Sequence, residues 1–142
     1  MIEQKLRVLF LCVHNSARSQ IAEALMRQMA GDRVEVFSAG SDPTRVHPYA
    51  LRVLQDEGID ASWARSKSVD EFANEHFDYA ITLCAEEVCP ISSNATHRFD
   101  WPLADPAAVD GSSEEQLAAF RATADELKWR VQMFLEAQLA PA

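Results

Sequence analysis

A short apolar run, Leu6 to Leu11, leads through a polar loop into Ser19 to Ala30, where Ile21, Leu25 and Met29 recur on one helical face. A strand so uniformly apolar is buried on both faces, which is the habit of parallel sheets, and a parallel sheet needs a helix to return the chain to its starting edge. The rest of the sequence repeats that grammar. Arg33 to Phe37 alternates polar and apolar as a second strand and Ser38-Ala39-Gly40 closes it. His47 to Glu57 reads as a helix, with Pro48 in its first turn and Gly58 at its stop. Val69 to Asn74 has room for a helical turn or two, Phe77 to Leu83 is a third strand, and a weaker fourth runs near Arg98 to Trp101. From Ser113 to Leu139 the apolar positions keep a three-or-four spacing, and Ser112 or Ser113 with Glu115 supplies the cap signals of one long amphipathic helix. Strands alternating with helices predict an α/β fold, a mostly parallel sheet covered by helices, in one domain spanning residues 1–142.

Met26, Met29 and Met133 are expected in the core, and Trp63, Trp101 and Trp129 are expected to pack rather than bind. His47, His76 and His97 read as surface or capping residues, and Glu86-Glu87 as a solvated face. No apolar stripe is left over on this assignment, so the chain is expected to be a monomer.

Composition removes several function classes. With 13 Lys and Arg against 22 Asp and Glu the formal charge is 13 − 22 = −9, whereas nucleic-acid affinity comes from cationic side chains neutralising many phosphates. Val8 to Val13 spans six residues, against the ~20 apolar residues of a membrane-crossing helix. The opening Met1-Ile2-Glu3-Gln4-Lys5 lacks the parts of a signal peptide. No nucleic acid, no membrane and a cytoplasmic location are therefore expected. In a reducing compartment three cysteines are a poor structural framework and a better set for catalysis, redox exchange or metal binding.

Cys12 and Arg18 stand with five residues between them, set between the first strand and the first helix. A loop wrapped over a helix N-terminus turns successive backbone N–H groups inward, and with the helix dipole they form a site for a tetrahedral oxyanion. Val13, His14, Asn15, Ser16, Ala17, Arg18 and Ser19 are the expected oxyanion-binding residues. Arg18 can grip two oxygens at once, and the same positive field favours the nucleophilic thiolate of Cys12. Asn15 and Ser19 are placed to hold the loop and the sulfur. The plainer alternative makes Cys12 a small buried apolar residue and Arg18 a solvated one.

The stretch Leu9-Phe10-Leu11-Cys12-Val13-His14-Asn15-Ser16-Ala17-Arg18-Ser19-Gln20, followed by Ala22-Glu23-Ala24 and Ser38-Ala39-Gly40, resembles the low-molecular-weight tyrosine phosphatase superfamily and, within it, the thioredoxin-coupled arsenate reductases. The likeness continues through Ile81-Thr82-Leu83-Cys84, Cys89-Pro90 and Trp101-Pro102-Leu103-Ala104-Asp105-Pro106. It implies a four-stranded parallel sheet flanked by helices, arsenate as substrate with phosphate as its analogue, thioredoxin as the external thiol reductant, and no bound cofactor.

First and third strands are usual neighbours in such sheets, and ligands sit beyond their C-terminal ends, where Cys12 and Cys84 both fall. The resemblance implies the rest: Cys12 as nucleophile on arsenate, Cys84 attacking the adduct, and Cys89 resolving the disulfide for thioredoxin. Many relatives have a longer segment between the second and third cysteines, whereas four residues intervene here. A structural Cys84, or a Cys-x4-Cys zinc half-site with His97 as its one nearby histidine, is the competing reading. The family's general acid matches Asp105, ahead of Asp100 and His14. Ala107 stands where the family's tyrosine phosphatases carry an aromatic, which favours a small inorganic oxyanion. Some members hold potassium through residues matching Asn15, Glu23 and Ser38, and Lys67 stands here at their fourth ligand position, so no metal is expected. The rival functions are phosphomonoester hydrolysis on the same fold, a non-enzymatic thiol sensor, and reduction that uses a small thiol.

Overall fold

The computed structural model describes residues 5–85 and 94–139. Its four strands, β1 (Leu6–Cys12), β2 (Val34–Gly40), β3 (Phe77–Cys84) and β4 (Ala95–Leu103), form one all-parallel sheet in the order β2-β1-β3-β4. The central pair is the apolar one, as burial on two faces demands. Val8 and Phe10 point into a core shared with the helices α1 (Arg18–Ala30), α2 (Pro48–Asp56) and α3 (Ser113–Gln138). Leu9 and Leu11 alternate to the opposite face, where Ala39, Phe77 and Ala80 meet Phe37, Val69 and Phe72. Among the described residues that face is closed by a 3-10 turn, Val69–Phe72, and by edge-on contacts among the rings of Phe37, Phe72 and Phe77.

Two strands are longer than their patterns announce. β2 continues through Ser38-Ala39-Gly40 because Cys12 pairs with Gly40 at the rim. β4 begins at Ala95; it is an edge strand whose side chains are mostly exposed, so it carries no apolar period to read, and an edge tolerates Pro102. Ser112 caps α3, in a reciprocal box with Glu115. His47 caps α2, its Nδ1 accepting from the Tyr49 N–H. Three expected packing residues are instead exposed: Trp129 at 58%, Met133 at 49% and Trp63 at 41%. Trp129 and Met133 lie four positions apart on the outer side of α3, whose inward residues Leu127, Val131 and Leu135 already fill the core. An apolar pair is therefore left on the surface, and the ground given above for a monomer does not hold.

Candidate active site

The C-terminal rim of β1 and β3 gathers most of the expected residues. Cys12, His14, Ser16, Ala17, Arg18 and Asp105, with Thr44 and Ala107, line a cleft of about 120 Å3. Cys12 ends β1 and is a free, buried thiol; its Sγ lies 2.8 Å from Ser19 Oγ.

The loop between Cys12 and Arg18 is shaped from outside. Val13 O accepts from Asp42 N–H at 2.8 Å, His14 O from Thr44 N–H at 3.2 Å, Asn15 O from Gln20 Nε2 at 3.1 Å and Ser16 O from His47 N–H at 3.0 Å. A trans peptide is planar, so a carbonyl held outward turns the next N–H inward. Four consecutive carbonyls held in this way present the N–H groups of His14, Asn15, Ser16 and Ala17 on the loop's inner face. Asn15 adopts a left-handed φ of 47°, a conformation asparagine tolerates better than most residues. α1 begins behind the loop with no side-chain cap and no acidic residue in its first turn, so its open N–H groups and dipole favour an anion there.

Arg18, 3% exposed, reaches across the sheet end: Nη1 donates to Leu103 O at 2.9 Å and to Leu83 O at 3.5 Å. That anchoring fixes the guanidinium at the cleft wall. Asp105 caps the 3-10 turn Pro106–Ala108, its Oδ1 accepting from Ala107 N–H at 3.0 Å. Asp100, the rejected candidate acid, is engaged on β4 by Thr82 Oγ1 at 3.0 Å. His14 is held at the rim by Asp42, its Nδ1 3.1 Å from the main-chain oxygen.

Beneath the loop runs a buried polar chain. Asn15 Nδ2 spends one hydrogen on Ser19 Oγ at 2.7 Å and the other on Ser38 Oγ at 2.9 Å, while Ser38 Oγ donates to Glu23 Oε1 at 2.5 Å. Glu23 takes the one hydrogen of Ser38, while the Asn15 amide is held in its own sense by Oδ1, which accepts from Lys67 N–H at 2.8 Å and Gln20 Nε2 at 2.9 Å. Ser19 Oγ accepts from Asn15 and keeps its own hydrogen, which can turn to the Cys12 sulfur. Lys67 Nζ stands 3.5 Å from Glu23 Oε1 and 3.4 Å from Ser38 Oγ, and donates to Arg65 O at 2.8 Å. An ammonium thus occupies the place the resemblance assigns to potassium. Burial pulls the Lys67 pKa below the ordinary lysine value, with Glu23 opposing.

Cys84 ends β3, buried, and is disulfide-bonded. Cys89 and Glu86-Glu87 lie outside the described residues. β1 and β3 are adjacent, and Leu11 pairs with Thr82, so Cys12 stands level with Leu83 and one residue short of Cys84. Strand spacing and rise then put the two cysteine Cα atoms ~6 Å apart. Alternation along β3 turns Leu83 rather than Cys84 to the face of Cys12; the register shift in the β3–β4 pairing, where Thr82 to Cys84 faces Asp100 to Leu103, puts the extra residue in β4. No cluster of three or more His, Cys, Asp or Glu fit to hold a metal occurs among the described residues.

Sequence reasoning missed the strap from Asp42 to His47, whose N–H groups hold three of the four loop carbonyls. It also missed Gln20, which closes on Asn15 O, on Asn15 Oδ1 at 2.9 Å and on Arg65 O at 2.7 Å. The strap has no periodicity and bonds through its backbone, so composition carries no trace of it.

The family model of low molecular weight phosphotyrosine protein phosphatase matches residues 7–141. An arsenate reductase of Halalkalibacterium halodurans is 37% identical over 131 residues, 91% of this chain and 94% of that one. Among solved structures, an arsenate reductase in its phosphate-binding state superposes with a TM-score of 0.80 at 30% identity, covering 93% of this chain and 98% of the other. A thioredoxin-dependent arsenate reductase of Corynebacterium glutamicum gives 0.66 at 35% identity, covering 94% of this chain and 65% of that one. With the parallel sheet, the anion loop and these relatives in agreement, the chain belongs to the low molecular weight phosphotyrosine protein phosphatase family.

Proposed function

We propose that this protein reduces arsenate to arsenite through a relay of Cys12, Cys84 and Cys89, re-reduced by thioredoxin in a reducing cytoplasm. The observation that carries the reading is the placement of Cys12 and Cys84 at the same rim of adjacent strands, beside a cleft sized for a tetrahedral oxyanion. The ~6 Å Cα separation set by strand spacing falls within the 4.4–6.8 Å range of disulfides.

Arsenate sits on the inward N–H groups of residues 13–19 with Arg18 on two of its oxygens. The Cys12 thiolate attacks arsenic; an As–O bond breaks and Asp105 delivers the proton that lets the oxygen leave as water. The Cys84 thiolate then attacks Cys12 Sγ, the S–As bond breaks with its electron pair going to arsenic, and As(V) becomes As(III) as two thiols become one disulfide. Cys89 attacks Cys84 to release Cys12, and thioredoxin reduces the Cys84–Cys89 pair. A free Cys12 beside a disulfide-bonded Cys84 is the state this sequence of steps reaches once Cys89 has released Cys12. Ala107 at the mouth gives an aryl group no ring to stack against, which favours the inorganic oxyanion over a phosphotyrosine.

Arsenite formation is to be followed with thioredoxin, thioredoxin reductase and NADPH for wild type and the three single Cys→Ser variants. Loss of turnover in all three is expected, with one molecule of arsenite per Cys89→Ser protein in a single-turnover assay. Undiminished turnover in Cys84→Ser or Cys89→Ser overturns the relay. Phosphomonoester hydrolysis with no arsenite assigns the chain to the phosphatases, and inactivity in both assays leaves the thiol sensor.

A further inference from the structure

The buried carboxylate beneath the anion loop has a second cation on its outer side. Glu23 is 2% exposed; its Oε1 takes Ser38 and Lys67, and its Oε2 takes Arg27 Nη2 at 3.0 Å. Arg27 is half-exposed on α1, and its guanidinium carbon lies 4.0 Å from the centre of the Trp63 ring. Trp63 is in turn fixed by its indole N–H, which donates to Asp60 O at 3.1 Å. This is not the ordinary surface pair of residues four apart on a helix: one partner is buried, and the other is clamped between that partner and an aromatic face. The arrangement also accounts for an exposed tryptophan that packs into no core.

We infer that Arg27, held under Trp63, is a positioning residue for Cys12, acting through Glu23. Arg27 and Lys67 hold the two oxygens of Glu23 in place, Glu23 holds the Ser38 hydroxyl, Ser38 takes one hydrogen of the Asn15 amide, and the other hydrogen holds the Ser19 hydroxyl beside the sulfur. Without Arg27, Glu23 faces its burial with Lys67 alone. A Glu23 free to rotate lets Ser38 shift, and with it the Asn15 amide and the Ser19 hydroxyl that its second hydrogen holds. The other charged groups around this unit are Arg18 on α1, His14 and Asp42 at the loop and strap, Arg65 and Glu71 beside Lys67, and Asp105 across the cleft. Arg27 is half-exposed, whereas Arg18 and Lys67 are both nearly buried, so of the three it is the cation that dissolved salt reaches most readily.

The test is the alkylation rate of Cys12 by the neutral reagent iodoacetamide, read by mass spectrometry of its peptide across pH and salt, which does not depend on the natural substrate. Arg27→Ala is expected to slow alkylation about five-fold on the rising limb of the pH profile and to displace that limb to higher pH, less than a charge in direct contact would. Arg27→Lys, which keeps the charge, should stay within about two-fold of wild type, and Trp63→Ala should fall between them. Raising salt from ~0.05 to ~0.5 M shortens the screening length several-fold and should slow wild type but not Arg27→Ala. The deciding arm is the cycle with Glu23→Gln: if Arg27 acts through Glu23, adding Arg27→Ala to Glu23→Gln changes the rate no further. Wild-type rates in Arg27→Ala, equal slowing in Arg27→Ala and Arg27→Lys, or additive losses in the double variant each overturn the inference. Should Arg27→Ala fail to fold, Trp63→Ala and the salt response of wild type decide, and no effect in either overturns it.

Discussion

Gly40 carries the sharpest single-atom test of the loop. It ends β2 opposite Cys12, and a Cβ built there would stand 2.3 Å from Val13 O, 2.8 Å from Asn15 N and 2.9 Å from Val13 C. All three are loop backbone, and none can rotate away. An ordinary carbon–oxygen approach is ~3.3 Å or more, so in Gly40→Ala the loop must retreat by ~1 Å. That retreat pulls Val13 O from its bond with Asp42 N–H and shifts the inward N–H groups that the bond holds. Overpacking of this kind costs ~1–3 kcal/mol of stability, or roughly a 3–12 °C fall in melting temperature at this chain length. Misplacing an oriented donor set by ~1 Å costs ~100-fold in function, so the larger effect should be on anion binding. The assay is calorimetric titration with phosphate and with arsenate, beside thermal unfolding by circular dichroism. Gly58→Ala is the control: its φ of 78° penalises a side chain, yet nothing lies within 4 Å of the added Cβ. It should lose ~1–2 kcal/mol of stability and keep its anion affinity. If Gly40→Ala binds phosphate within about two-fold of wild type, the loop is not held by this contact and the reasoning fails.

Asp105→Asn keeps the cap on Ala107 N–H but removes the transferable proton; arsenite formation should fall ~100-fold or more with phosphate affinity little changed, and equal losses of both would refute its assignment as the acid. Replacing sodium by potassium should leave wild-type activity unchanged because Lys67 already occupies the cation position, whereas Lys67→Ala should lose anion affinity and recover part of it in potassium; a potassium response in wild type contradicts the substitution. The His47 pKa lies below the ordinary 6.5, chiefly through burial and then Arg45, with Asp105 opposing. A histidine whose folded value is lowered contributes stability that is full above the unfolded value and is lost as pH falls through the folded one. Melting temperature should therefore drop below pH ~6.5 in wild type and less steeply in His47→Asn, which can still cap α2; parallel curves would show that His47 is not the group responsible.

The central strands, the first helix, and the Cys12 and Arg18 spacing were legible because each is a dense local pattern: an apolar run, a period, a motif. Ser112 announced the start of α3 for the same reason. What stayed hidden is long-range or bonds through the main chain. The strap from Asp42 to His47 shapes the anion loop with N–H groups that every non-proline residue owns. Gln20 takes its place from a partner 45 positions away, Arg65. Trp129 and Met133 misled because residue type was read as burial, yet the face of α3 on which they stand is decided by where the sheet lies. A tryptophan's exposure is a property of its neighbours, and for Trp63 the neighbour that matters is Arg27, 36 positions earlier in the chain.

The net charge of −9 and the anion site are compatible because they act over different distances. Screening confines the field of surface carboxylates to ~8 Å at physiological salt, so they oppose a large polyanion approaching the whole surface more than a small one already inside the rim. The site's own positive field comes from outward-pinned carbonyls, an uncapped helix start and the anchored Arg18, all at contact distance, where water is excluded and charge acts most strongly. The two scales reinforce each other in selecting a ligand. An acidic exterior with a cleft of about 120 Å3 disfavours nucleotides and acidic phosphoproteins at the approach and bulky esters at the mouth. What passes both is a small tetrahedral oxyanion, and because arsenate and phosphate differ little in size and charge, the site cannot separate them by binding. Discrimination must fall on the chemistry that follows, where arsenic in a thiol adduct can accept two electrons from a second thiol and phosphorus does not. In the proposed relay that step belongs to Cys84, at the end of β3.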